Sequence, residues 1–212
     1  MALTCKIYIA APDVREQLRQ LGLTLEALKD VLRHIALTMN SHTADHPSWG
    51  PGITTASEAV FSLRSILKLD GWQREEDKGF ALTVHPEGLI AINIAKGDEG
   101  TGDPEKEVLS VSDKGVCTER AIHQNQLLFG FMQSVEATVT ASLSRPTWYL
   151  LYSKRDRGIH AEISLPLKMD SSMHLSGWVK RIILPITRID GEEELTAGFD
   201  DGGFEVNVRR RG

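Results

Sequence analysis

The sequence predicts an α+β fold: N-terminal helices packed on a mainly antiparallel sheet built from hairpins, with one further central helix. Three observations predict it. Apolar residues recur every three to four positions through the first 70 residues. Period-two alternation separated by short turns dominates from Trp72 onward. Helical and strand segments come in blocks, not in the regular βαβ alternation of a parallel sheet.

Pro12 and Asp13 open a helix over 14–21, and Gly22 ends it, the usual proline-first, glycine-last asymmetry. Thr24 is placed to cap the next helix, with Glu26 in its first turn. Leu25, Leu28, Val31, Leu32, Ile35 and Met39 form one apolar face of that helix, which ends near Asn40. Residues 41–53 hold His42, Asp45, His46, Pro47, Gly50, Pro51 and Gly52 and read as a loop. Thr55 and Glu58 have capping-box spacing, so a helix starts there, buries Val60, Leu63, Ile66 and Leu67, and stops at Asp70-Gly71.

Phe80, Leu82 and Val84 alternate with Ala81, Thr83 and His85; Pro86-Glu87-Gly88 turns the chain; Ile90, Ile92 and Ile94 return. The short turn makes this an antiparallel hairpin. Residues 96–106 form a Gly-rich acidic loop, followed by a short strand near 108–111. Thr118 and Glu119 start a helix through Ile122, Leu127, Leu128 and Phe131 that extends toward Leu143. Gly130 weakens the extension by about 1 kcal/mol relative to Ala. Residues 148–152 and 159–165 make a second hairpin around a 154–158 turn. Pro166 and Pro185 mark strand ends or edges, because proline cannot donate to a ladder. A last strand falls at 204–208, before Arg209, Arg210 and Arg211.

Global composition narrows the function classes. The 212 residues are 41% hydrophobic and 25% charged, which suits a single globular domain over 1–212. A division into 1–96 and 107–212 would fall in the acidic loop. A net charge of −5 excludes a wholly basic nucleic-acid binder. Cys5 and Cys117 are too few for a disulfide framework or a paired zinc motif, and read as free thiols in a reducing cytoplasm. The longest apolar runs are five residues, against about 20 for a membrane span. A cytoplasmic protein with no membrane partner is the expectation.

Charge is segregated. Residues 71–113 hold ten acids and four bases; 145–189 hold eight bases and three acids; 190–208 hold seven acids and no base. Either these blocks compensate one another inside the fold, or the basic block faces an anionic partner. The basic block carries rings beside its cations. Trp148 and Tyr152 precede Lys154, Arg155 and Arg157, and Trp178 precedes Lys180 and Arg181. Rings offer stacking faces and cations neutralise phosphates, so these eight residues form the candidate surface for nucleic acid or an acidic protein.

Asp98, Glu99 and Asp103 offer three carboxylates that suit Mg²⁺, and with it the alternative of a metal-dependent hydrolase or nuclease. The loop lacks the lysine of a phosphate-binding P-loop and the spacing of a dinucleotide fingerprint. His42, Asp45 and His46 suit zinc by type, without a motif that fixes their geometry. Cys117 lies near a predicted helix N-terminus, where a thiolate is stabilised, with His123 six positions on. No Gly-x-Ser-x-Gly elbow is present. The expectation is a non-enzymatic binding or interaction protein with no cofactor. A structural subunit of a larger assembly, docking through edge strands near Pro166 and Pro185, is the remaining alternative.

Overall fold

The computed structural model describes residues 5–133, 145–156 and 158–188. Strand β1 (Lys6–Tyr8) leads into helices α1 (Ala11–Gln20), α2 (Leu25–Ser41) and α3 (Gly50–Leu67). A meander follows: β2 (Gln73–Asp77), β3 (Phe80–Val84) and β4 (Ala91–Lys96). Helix α4 (Val116–Gln133) precedes β5 (Thr147–Arg155), β6 (Gly158–Met169), β7 (Leu175–Ile183) and the short β8 (Thr187–Arg188). The α+β class, with N-terminal helices on a mostly antiparallel sheet, stands as expected.

The strands form one sheet in the order β1-β7-β6-β5-β4-β3-β2, with β8 extending along β6. Two pairings are parallel, β4 with β5 and β1 with β7. The first needs a crossover, and α4 lies in that connection. The sheet therefore runs continuously across the 97–106 segment.

Alternation along β5 sorts its side chains between two layers. Trp148, Leu150 and Tyr152 join Val14, Leu18, Leu28, Leu32, Leu63 and Leu67 in a core under α1–α3. Tyr149 and Leu151 point the other way, to Val108, Ile122, Leu175 and Trp178. Burying a side chain such as Leu150 contributes about 1.5–3 kcal/mol. Asn125, 2% exposed, bolts α4 to the sheet. Its Nδ2 donates to Thr147 O at 2.9 Å and Pro166 O at 3.0 Å, and its Oδ1 accepts from Thr147 N at 2.8 Å.

Several local expectations hold. Thr24 Oγ1 accepts from Ala27 N at 3.1 Å, the predicted cap. Gly71 takes φ 83° where α3 and its terminal 3-10 turn end. The hairpin of β3 and β4 forms around residues 86–88.

Others are corrected. The first 70 residues include a strand, β1, too short for a period to reveal. Helix α3 begins at Gly50, with Pro51 in its first turn, so Thr55 and Glu58 sit inside it and form no capping box. Glu58 instead meets His34 Nε2 on α2 at 2.8 Å. The strand expected at 108–111 is a single bridge, Gly97 to Ser110. Pro166 lies within β6, between β5 and β7, at a register shift; a bulge tolerates proline as an edge does. The extension toward Leu143, the 204–208 strand and the three terminal arginines lie outside the described residues.

Candidate functional site

The basic and aromatic residues of β5–β7 do not share a surface. Trp148 and Tyr152 are 4% and 3% exposed beneath the helices. Burial pushes the Tyr152 hydroxyl up to about 12. Trp178 is buried on the opposite face, its Nε1 donating to Val108 O at 2.8 Å. Lys154 Nζ reaches Asn40 Oδ1 at 2.7 Å, while its neighbour Arg155 donates to Thr101 O at 2.6 Å. Lys180 Nζ donates to Gln17 Oε1 at 2.9 Å, 5.6 Å from the Tyr8 ring centroid and 5.9 Å from that of Trp148. These are cation–π distances. Burial, reinforced by Lys6, lowers the Lys180 pKa. Arg157 lies outside the described residues.

Arg181 is interior too. Its Nε and Nη2 donate to Glu162 at 2.9 and 2.6 Å in a bidentate pair. Its remaining donors reach the carbonyls of Lys106 at 2.9 Å and Asp103 at 3.0 Å. Glu162, fully buried, also accepts from Gly102 N and Ser164 Oγ. The basic and acidic segments therefore meet within the fold, largely through loop carbonyls. One physical cause separates the Trp178, Lys180 and Arg181 cluster. Leu165 pairs with Lys180 but Pro166 pairs with Trp178, so Val179 is an extra residue that reverses the alternation.

The acidic loop uses its carboxylates locally. Asp98 Oδ1 accepts from Gly100 N and Asp103 Oδ1 from Glu105 N, each at 3.0 Å, while Glu99 faces solvent. Among the described residues no three His, Cys, Asp or Glu side chains gather as a metal site. That covers Asp98, Glu99 and Asp103 as well as His42, Asp45 and His46. His42 and His46 rings do meet edge to face at 5.3 Å, and His46 Nδ1 accepts from Thr43 N. Cys117 Sγ donates to Asp77 Oδ2 at 3.6 Å. It lies in the first turn of α4, whereas His123 borders a different cavity, on the side of Met169.

A basic cleft appears elsewhere, at the end of α3. Arg64 and Lys68 are one helical turn apart and share a face. The left-handed turn at Gly71 then buries Trp72 and brings β2 back beside the helix end. Arg64, Lys68 and Arg74 thereby line one cavity of about 470 Å³, with Ser65, Gln73, Thr83 and the Trp72 wall; among the described residues no carboxylate lines it. Arg64 braces β2 through Glu76 Oε2 at 3.2 Å and Glu75 O at 3.2 Å, yet its Nε is buried without an acceptor. An unmatched buried donor costs about 1–3 kcal/mol. Lys68 and Arg74 are exposed, with no ion-pair partner among the described residues.

Sequence reasoning missed this cleft because Arg74 belongs to a stretch whose net charge is strongly negative. The available signal was the Arg64–Lys68 spacing just ahead of Asp70-Gly71, with Arg74 three residues past the turn. Comparison with family models, curated proteins and solved structures finds no match for this chain.

Proposed function

We propose that this protein is a non-enzymatic binding protein whose partner presents an anionic group to the cleft of Arg64, Lys68 and Arg74. The observation that carries the reading is the convergence of three cations on one cavity that no carboxylate of the described residues lines, with a buried Arg64 Nε still lacking an acceptor. A carboxylate or phosphate oxygen supplied there gains charge-assisted hydrogen bonds, the strong class. The neighbouring edge strand carries Glu75, Glu76 and Asp77. Those acids repel a continuous phosphate track but leave room for a single acidic side chain, so an acidic protein segment fits better than nucleic acid. Both cysteines are free thiols, which suits a reducing, cytoplasmic location.

The test measures fluorescence anisotropy of a labelled Asp/Glu-rich peptide and of a labelled single-stranded oligonucleotide. The peptide should bind, weaken as salt rises, and lose about tenfold or more (about 1.4 kcal/mol) in Lys68→Glu/Arg74→Glu. Preference for the oligonucleotide, with a steep log–log salt slope, transfers the reading to nucleic acid. Peptide affinity indifferent to both salt and charge reversal removes it.

A further inference from the structure

A second cavity, on the opposite side of β3 from the basic cleft, opens at the start of α4. It measures about 390 Å³ and is bounded by Phe80, Asn93, Lys114, Cys117, Thr118 and Tyr149, among others. Two independent observations meet there. The first is an uncapped helix N-terminus. Glu119 N closes the first turn on Gly115 O at 3.2 Å, so Gly115 stands where a capping side chain would be, and glycine has none. No side chain of the described residues accepts from the amides of Val116 and Cys117, which lie at the positive end of an 18-residue helix.

The second observation is Tyr149. The residue is 1% exposed, lines the cavity, and holds its hydroxyl buried with no hydrogen-bond partner of normal geometry, although Thr118 is adjacent. Burial raises its pKa, with Thr118 opposing, so the group stays a neutral O–H donor. A buried hydroxyl is normally satisfied; one without a well-formed partner on a residue in the wall of a cavity calls for an acceptor from outside the chain. Lys114, its charged form disfavoured by burial and supported by Asp113, adds a cation. The Asn93 amide adds a further polar group. Asp113 and Asp77 are the acids nearby; Asp77 is engaged by the Cys117 thiol.

We infer that this cavity binds a small molecule bearing one oxyanion, a carboxylate or a phosphate monoester. The oxyanion sits against the Val116 and Cys117 amides, the Tyr149 hydroxyl and Lys114, with the ligand's apolar part against Phe80 and Ile94. This site is separate from the Arg64 cleft, and the failure of either leaves the other standing.

The probes are phenyl phosphate and benzoate, titrated into ¹⁵N-labelled protein while the amides of residues 114–118 are followed. Millimolar binding of either supports the site, and the preferred probe separates phosphate from carboxylate. Tyr149→Phe removes one oxygen and keeps the ring, and should weaken the preferred probe about tenfold, as loss of one hydrogen bond to a charged group does. Without ligand, Tyr149→Phe should melt at the same temperature as the natural chain or above it, since only the poorly formed contact with Thr118 is lost. Silence of these amides to both probes, unchanged affinity in Tyr149→Phe, or a ligand-free melting point several degrees lower would each overturn the inference.

Discussion

Arg181 shows how one side chain can be legible in type and illegible in role. It is 3% exposed, yet carries a full charge matched by a carboxylate that is itself completely buried. Such a pair adds little net stability, because desolvation offsets the Coulomb attraction, but removing one partner strands the other. Arg181→Met should therefore lower unfolding free energy by about 3–5 kcal/mol in urea titrations, leaving Glu162 with only Ser164 and Gly102 as donors. Arg181→Met/Glu162→Leu should recover part of that loss, with the Lys106 and Asp103 carbonyls still short of a donor. A single variant within about 1 kcal/mol of the natural chain would mean that water already reaches the pair. Nothing local in the sequence names Glu162 as the partner. The neighbours of Arg181 are basic or apolar, so the sequence groups it with Lys180 as surface.

At the scale of elements, the acidic loop is held by shape and by backbone. Gly100 packs so tightly that an added Cβ would overlap the Glu107 carbonyl oxygen, and its own carbonyl lies 3.4 Å from Arg181 Nη2. Gly100→Ala should cost about 1–3 kcal/mol, the usual range for overpacking. It should also speed hydrogen exchange at the amides of Thr101, Asp103 and Glu105, which the loop's own acceptors hold. Exchange and melting point both unchanged would show that the loop yields without strain. The sequence showed a loop here because glycines and acids cluster, a local signal. It could not show that the carbonyls, rather than the carboxylates, make the important contacts. In α3 the same limit worked differently. The Thr55–Glu58 spacing is that of a capping box, but Pro51 suits the first turn, and the helix extended past both residues.

On the scale of the molecule, the sheet order leaves β2 at one end of the path, and all five of its residues are exposed. Its sequence, Gln-Arg-Glu-Glu-Asp, places charges along the open edge and so discourages pairing with another chain. Pro166 lies within the interior strand β6, and Pro185 just past the end of β7, which β1 and β6 flank, so an assembly reading would have to move to β1 or β2. Glu75→Val/Asp77→Val should make the protein elute earlier from gel filtration as concentration rises, relative to the natural chain. Identical elution at all concentrations would show that twist or covering chain, not charge, guards this edge.

Helix and hairpin identities were determined by the sequence itself, because their causes are local. Spacings of three and four make the faces of α1 and α2, Thr24 caps its own helix, and turn residues at 71 and 86–88 stop or reverse the chain. Faces and partners were decided by tertiary structure. Val179 adds one residue to β7 and thereby sends Trp178 and Lys180 to different layers. The turn at Gly71 brings Arg74 beside Arg64, and the crossover carries α4 across the sheet so that its bare N-terminus meets Tyr149. Each of these depends on pairing between distant segments, which no short window of residues encodes.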